Sequence, residues 1–376
     1  FYLKHPERSM ANNSAVYNER PSLELFLDEW VNLIKSGSGE RGIFNRGSLK
    51  DQLPPRRWPV FAPDAHTSGT NPCGEIILKS KQFCNLSQVV VRADDTEDSL
   101  KRKVRLATIL GTYQASLTNF PYLSPEWKKN CDEEALLGVS ITGFWDSTLS
   151  RDPALLRQLR ELSVEVNREY AKKFGINPST CVTSVKPAGN GSQLFDSASG
   201  MHPRHAAYYI RRVRIENHNP LFHMMKAMGV PYHPEVGQVD GEANTYVLDF
   251  PIEAPEGAIT RRDLSATQLL EFWKVLKENY TEHNPSVTVS VSSDEWLKVG
   301  NWVYENWNLV GGLSFLPKDE HVYQLAPYEE ITKEKYEELA ATFPAIDFSQ
   351  VCAYEYEDET QGSKELACVS GACELK

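Results

Sequence analysis

The chain has 376 residues, 41% hydrophobic and 24% charged, which is enough apolar mass for one large core or two modest ones. A net charge of −11 argues against a duplex-binding protein, which would present a basic face to phosphates. No run reaches the roughly 18 apolar residues of a membrane span, no signal peptide opens the chain, and seven thinly spread cysteines are not a disulfide framework, so a cytoplasmic setting is expected.

In chain order, Ser22 to Ser36 reads as an amphipathic helix stopped by Gly37 and Gly39, and Asp95 to Leu117 as another. Ala135 to Phe144 is an apolar run of strand length. Ala154 to Phe174 is a helix closed by Gly175. A β-rich run, Thr180 to Val185, leads into a Gly/Asn/Ser loop from Lys186 to Ser192. Strands are expected over Tyr208–Ile215, Tyr246–Phe250, Ser286–Val291 and Leu309–Phe315, with helices at Pro220–Met228 and near 265–280, 294–306 and 331–342. Strands alternating with helices predict a parallel α/β architecture. From about Asp347 the periodicity is lost. The expected organisation is a catalytic portion over 1–346 and a flexible tail over 347–376.

The densest chemistry lies in Asn71-Pro72-Cys73-Gly74-Glu75, with Cys84 in Phe83-Cys84-Asn85-Leu86-Ser87. A thiol can carry a radical or attack, an amide can fix a hydroxyl, and a carboxylate can take a proton. Alternation in Asn-x-Cys-x-Glu is compatible with all three side chains facing one way from an extended loop. A turn around a packed thiol explains the same residues. In the loop Pro187-Ala188-Gly189-Asn190-Gly191-Ser192, the glycines let backbone N–H groups approach an anion, and a following helix would aim its positive end there. A plain turn is the competing reading. Cys368 and Cys373, close to the C-terminus, form a zinc half-site without a second pair, a solvated tail or a shuttle dithiol, the last favoured by nearby Gly362, Ser363, Ser370 and Gly371. Cys131 and Cys181 read as packed thiols. His202 and His205 lack a third ligand, and no metal site is expected.

These segments resemble the ribonucleotide reductases, and most of all the monomeric adenosylcobalamin-dependent (class II) ribonucleoside-triphosphate reductases. Asn71 to Glu75, with a cysteine eleven residues beyond Cys73, resembles the finger loop and adjoining strand. Leu137 to Phe144, Ser184 to Ser192, Tyr209 to Arg214, Ser286 to Val291 and the Cys368/Cys373 tail resemble further family segments in family order. The resemblance implies a ten-stranded α/β barrel whose later strands lie in this chain and whose early strands do not, followed by a flexible redox-active tail. It implies conversion of ribonucleoside di- or triphosphates, with triphosphates favoured, to 2′-deoxyribonucleotides. Cys73 would carry the thiyl radical, Glu75 would take the 3′-hydroxyl proton, Asn71 would bind ribose hydroxyls, and Cys84 would be one of two reducing thiols. Pro187 to Ser192 would bind the substrate phosphates, although Ala188 and Asn190 depart from the family's pattern. Cys368 and Cys373 would pass electrons from thioredoxin or a similar dithiol.

The late strand Val310 to Leu316 lacks the tyrosine pair of the oxygen-dependent members, and no Arg-x-x-Gly-Tyr-like glycyl-radical segment is present. Adenosylcobalamin is therefore the expected radical source, although no Asp-x-His-x-x-Gly cobalamin motif occurs. Other expected partners are the ribonucleotide, a deoxynucleotide effector and an upstream polypeptide that completes the barrel and brings the partner of Cys84. Neither nucleic acid nor membrane is expected as a partner. Two rival readings are a thiol-redox protein using Cys368 and Cys373 alone and a non-catalytic nucleotide-binding remnant.

Overall fold

Side-chain caps set the helix starts. Ser22, Thr96, Asp152 and Ser265 each accept a backbone N–H from the first turn of the helix that follows. The structure is a computed structural model that describes residues 14–37, 39, 41–318 and 324–355. It opens with β1 (Ala15–Tyr17), α1 (Leu23–Ser36) and β2 (Gly42–Asn45). Short helices α2 (Leu49–Gln52) and α3 (Trp58–Phe61) lead to a tight hairpin of β3 (Gly69–Thr70) and β4 (Ile77–Leu78). Next come β5 (Asn85–Val90), α4 (Glu97–Ala115), α5 (Pro125–Glu134), β6 (Leu137–Thr142), α6 (Pro153–Phe174) and α7 (Gly189–Leu194). The remainder is β7 (Tyr208–Glu216), α8 (Pro220–Ala227), β8 (Tyr232–Pro234), β9 (Thr245–Glu253), α9 (Ala266–Asn279), β10 (Thr288–Val291), α10 (Trp296–Glu305), β11 (Gly312–Pro317), β12 (Tyr328–Glu330) and α11 (Lys333–Thr342).

The strands around the hairpin form an arc. β5 pairs parallel with β6, and β10 with β11. Residues 180–185 join the two pairs through parallel bridges Val139↔Thr183 and Val185↔Pro285. Beyond β11 the direction reverses: β2 pairs antiparallel with β11, and β1 parallel with β2. Every residue of β6 is buried, as expected of a strand covered on both faces. The core holds Val139, Ile141, Val182, Val289 and Leu313 of the arc with Leu156, Leu159, Leu270 and Trp273 of the covering helices. The α/β class expected from the sequence is present. Among the described residues the arc does not close, since β5 and β1 each have one strand neighbour.

The expectation of parallel strands throughout needs correction. β7 belongs to a second sheet, in the order β12-β7-β9-β8, and every pairing in it is antiparallel. The helix α8 carries the chain from β7 to β8 in the same direction, since both are antiparallel to β9. Here β8 fills the return from α8 and pairs with β9, which leaves β9 antiparallel to β7. Phe222, Met225, Tyr246 and Leu248 form a separate small core. Val351 and Tyr354, from a 3₁₀ helix over Phe348–Tyr354 capped by Asp347, pack on it. The expected tail therefore begins within a packed segment, and its remainder from 356 onward, with Cys368 and Cys373, lies outside the described residues. Among those described, no helix is long and apolar enough to cross a membrane.

Candidate active site

The β3–β4 hairpin places the sulfur. Thr70 pairs with Ile77, and the six residues between them fold back on themselves. Asn71 N–H donates to Ile76 O, Gly74 N–H donates to Asn71 O, and Ile76 N–H donates to Asn71 Oδ1. Gly74 sits at φ +80°, where a side chain would strain the backbone. The turn breaks the alternation read from the sequence: the Asn71 and Glu75 side chains hydrogen-bond each other, while Cys73 stands apart at the tip. Cys73 is exposed at the tip, and Glu75 is only 2% exposed on the inner flank. The hairpin lies against the arc. A Cβ on Gly138 would come within 3.0 Å of Ile76 Cδ1 and 2.9 Å of Ser184 Oγ, so only glycine lets β6 take the hairpin this closely.

Burial raises the Glu75 carboxyl above the usual range, and the Asn71 hydrogen bond and the Lys186 charge only partly offset it. Its Oε2 is buried without a hydrogen-bond partner, as is Ser184 Oγ. A carboxyl with a raised affinity for protons and an unused acceptor suits a general base. Cys84, half-buried, packs on the cluster of Phe44, Leu49, Phe61, Ile77, Leu136 and Cys181. Burial, with Glu75 nearby, pushes its thiol well up, so it rests as S–H.

At the end of residues 180–185, Lys186 N–H donates to Ser140 Oγ at 2.9 Å. Ala188, at φ 54°, launches α7, so the helix begins within the loop rather than after it. Gly189 and Asn190 are exposed at its N-terminus, where backbone N–H groups lack intrahelical acceptors. Ser192 is turned inward and bonds Gly189 O and Ser199 Oγ.

No family model matches the chain. Curated relatives do. A protein of Lactobacillus gasseri is 25% identical over 423 aligned residues, covering all of this chain and 53% of the relative. One of Lactobacillus leichmannii is 27% identical over 83% of this chain and 46% of the relative. One of Euglena gracilis is 27% identical over 73% of this chain and 38% of the relative. All three are named adenosylcobalamin-dependent ribonucleoside-triphosphate reductase. This chain is a homologue of those reductases. It spans about half the length of the relatives it matches. A crystal structure of a B12-dependent (class II) ribonucleotide reductase superimposes with TM-score 0.72 at 21% identity, over 95% of this chain and 54% of that one. The alpha subunit of the Actinobacillus ureae class Id reductase gives 0.52 at 14% identity. Both likenesses concern the fold.

The resemblance expects a partner thiol for Cys84, and none of the described cysteines is placed to be one. The Leu136–Leu137 strand runs between Cys84 and Cys181, because Asn85 and Cys181 contact it from opposite sides. Two strand spacings are about 9–10 Å, beyond the ~7 Å Cα limit of a disulfide. Cys181, raised to about 12 by burial, also hydrogen-bonds Glu282 O. Cys131 accepts the Phe83 N–H, and Phe83 stacks on Trp127 of the same helix. The two histidines set aside in the sequence are structural here. His202 Nδ1 faces Ser199 O and its Nε2 accepts the Thr288 N–H, while His205 stacks on Tyr328 and burial lowers it to about 3. Sequence reasoning read Ser286 only as the start of a strand and overlooked Arg57, His283 and Asn284, which with it bond the hairpin, and Glu134, which pairs with Arg57. The one signal for His283 and Asn284 was a polar run directly before a strand.

Proposed function

We propose that this chain holds the catalytic centre of a ribonucleotide reductase that converts ribonucleotides, with triphosphates favoured, to 2′-deoxyribonucleotides. The observation that supports it best is an exposed cysteine at a hairpin tip beside a buried carboxyl with an unused oxygen, in a homologue of the class II reductases.

In this reading, adenosylcobalamin supplies the radical that converts Cys73 to a thiyl. Cys73, exposed at the hairpin tip, is accessible to such a group and would receive the radical from it. Cys73 takes the ribose 3′ hydrogen and becomes a thiol. Glu75 accepts the 3′-hydroxyl proton, and Asn71 bonds the ribose hydroxyls, giving up its hold on Ile76 or sharing its amide N–H₂. The 2′-hydroxyl leaves as water. Cys84 and a partner thiol give two electrons and two protons and become a disulfide, Glu75 returns its proton to O3′, and Cys73 returns hydrogen to C3′. The backbone from Pro187 to Ser192 holds the phosphates. Cys368 and Cys373 then reduce the internal disulfide by exchange and are themselves reduced by thioredoxin or a similar cytoplasmic dithiol.

The test is turnover in a polypeptide that includes the part of the relatives this chain does not match. Cys73→Ala should abolish deoxynucleotide formation with nucleotide binding intact, and appreciable activity would remove Cys73 from the radical role. Cys368→Ser with Cys373→Ser should leave one turnover of pre-reduced enzyme intact and stop thioredoxin-driven cycling. Unchanged cycling would refute the shuttle.

A further inference from the structure

The hairpin's backbone is held from behind at five points. Ser286 Oγ–H donates to Cys73 O at 2.6 Å, Asn284 Nδ2 to Gly74 O at 3.0 Å, and Asn284 N–H to Glu75 O at 3.1 Å. Arg57 Nη2 donates to Ile77 O at 2.9 Å, and Ile77 N–H donates to His283 Nδ1 at 3.4 Å. Three consecutive carbonyls and both backbone polar groups of Ile77 are thus taken by Arg57, His283, Asn284 and Ser286.

The holders are themselves oriented. His283 is fully buried, and its Nε2 faces Leu137 O at 3.1 Å. Accepting at Nδ1 and donating at Nε2 fixes one neutral tautomer. Burial, and then the Arg57 charge, favour that neutral form. Asn284 is fully buried. Its Oδ1 faces Lys277 Nζ at 3.5 Å, while its Nδ2 reaches the carbonyls of Gly74, Pro285 and Gly312. The Lys277 amine, a donor on one side, and three carbonyl acceptors on the other set the amide orientation. Gly311 makes the room, since a Cβ there would lie 2.4 Å from Asn284 Oδ1.

We propose that Asn284, His283 and Ser286 are positioning residues that lock the Cys73–Ile77 backbone in the one register that keeps Cys73 at the open tip and Glu75 against the inner flank. None of them touches the reacting atoms. The inference rests on the reductase reading for its catalytic meaning and on the geometry for the lock itself.

Two readouts separate these. The first is amide hydrogen exchange in the 376-residue chain. Asn284→Asp keeps the shape and removes the N–H₂ donor, and Ser286→Ala removes one bond and serves if the aspartate variant does not fold. Exchange at residues 71–78 should speed up roughly five- to tenfold, as the loss of a buried hydrogen bond supports, while Val139 and Ile141 of β6 keep wild-type rates. Wild-type rates at 71–78 in both variants would overturn the proposal whatever the enzyme does. Equal acceleration in β6 would also overturn it, by showing general loosening instead of a local lock. The second readout is turnover in the longer polypeptide, where kcat should fall tenfold or more with KM within about twofold. A shift confined to KM would refute positioning. Local acceleration together with an inactive wild-type enzyme would uphold the lock and sink the reductase reading.

Discussion

At the scale of single residues, Glu75 sets function against stability. A carboxyl buried with one unused oxygen favours its neutral form, so the folded chain holds this proton to higher pH than the unfolded chain does. Above the ordinary carboxyl pKa, stability is therefore lost as pH rises through the window up to the raised value. Glu75→Gln should abolish turnover yet stabilise the chain at neutral pH, and the gain should shrink to nothing as pH falls below about 4.5, where both states are protonated. Denaturant unfolding at several pH values measures this. A variant less stable than wild type at pH 7 would contradict it. The choice of Glu75 was legible from its spacing to Cys73. Its burial was not, because that depends on Gly74 turning the chain.

At the scale of elements, the hairpin depends on an ion pair. Arg57, from the start of α3, and Glu134, at the end of α5, are both fully buried and 2.8 Å apart. Burial alone would raise the Glu134 carboxyl, but Arg57, Gln82 and Lys79 together hold it below the usual range. Thr180 Oγ1 donates to the same carboxylate at 2.9 Å, and Arg57 reaches on to Ile77 O. Removing one partner strands a buried charge, so Arg57→Met should destabilise by about 3–5 kcal/mol. Pairing it with Glu134→Gln should recover part of that loss. Equilibrium unfolding of the single and double variants tests the coupling, and additive losses would show that the two do not act as a pair. Most of the longer α-helices were readable because caps and periodicity are local, but α5 and the short α2, α3 and α7 were not. The partnership of Arg57 with Glu134, 77 residues apart, has no local signature.

At the scale of the whole molecule, the arc leaves β5 with β6 as its one neighbour among the described residues. Cys84 directly precedes that open strand. A strand added on the free edge of β5 would stand about 5 Å away, close enough for disulfide geometry, whereas Cys181 is on the far side of β6. A reducing partner for Cys84 is therefore expected on a strand added at that edge of the described residues, and 376 residues with adenosylcobalamin, ribonucleotide and a dithiol are predicted to give no turnover. Adding the polypeptide that corresponds to the unmatched half of the relatives should restore it. Robust turnover without it would make one of the chain's own cysteines the partner, and mapping the disulfide formed after one turnover would show which.

The sequence by itself determined seven of the described helices, whose caps and periodic faces lie within a few residues of one another, but not α2, α3, α5 or α7. It also determined the α/β class, the family likeness and the grouping of Cys73, Glu75, Asn71 and Cys84, all of which sit in one short stretch. Only the tertiary structure decided strand direction, because the short β8, unread in the sequence, stands between α8 and β9 and turns β9 against β7. It also decided which side chains face the site, because the turn at Gly74 overrides alternation. And it brought His283–Ser286 onto the hairpin from more than 200 residues away, through backbone hydrogen bonds that any sequence of suitable donors could make and that no residue pattern records.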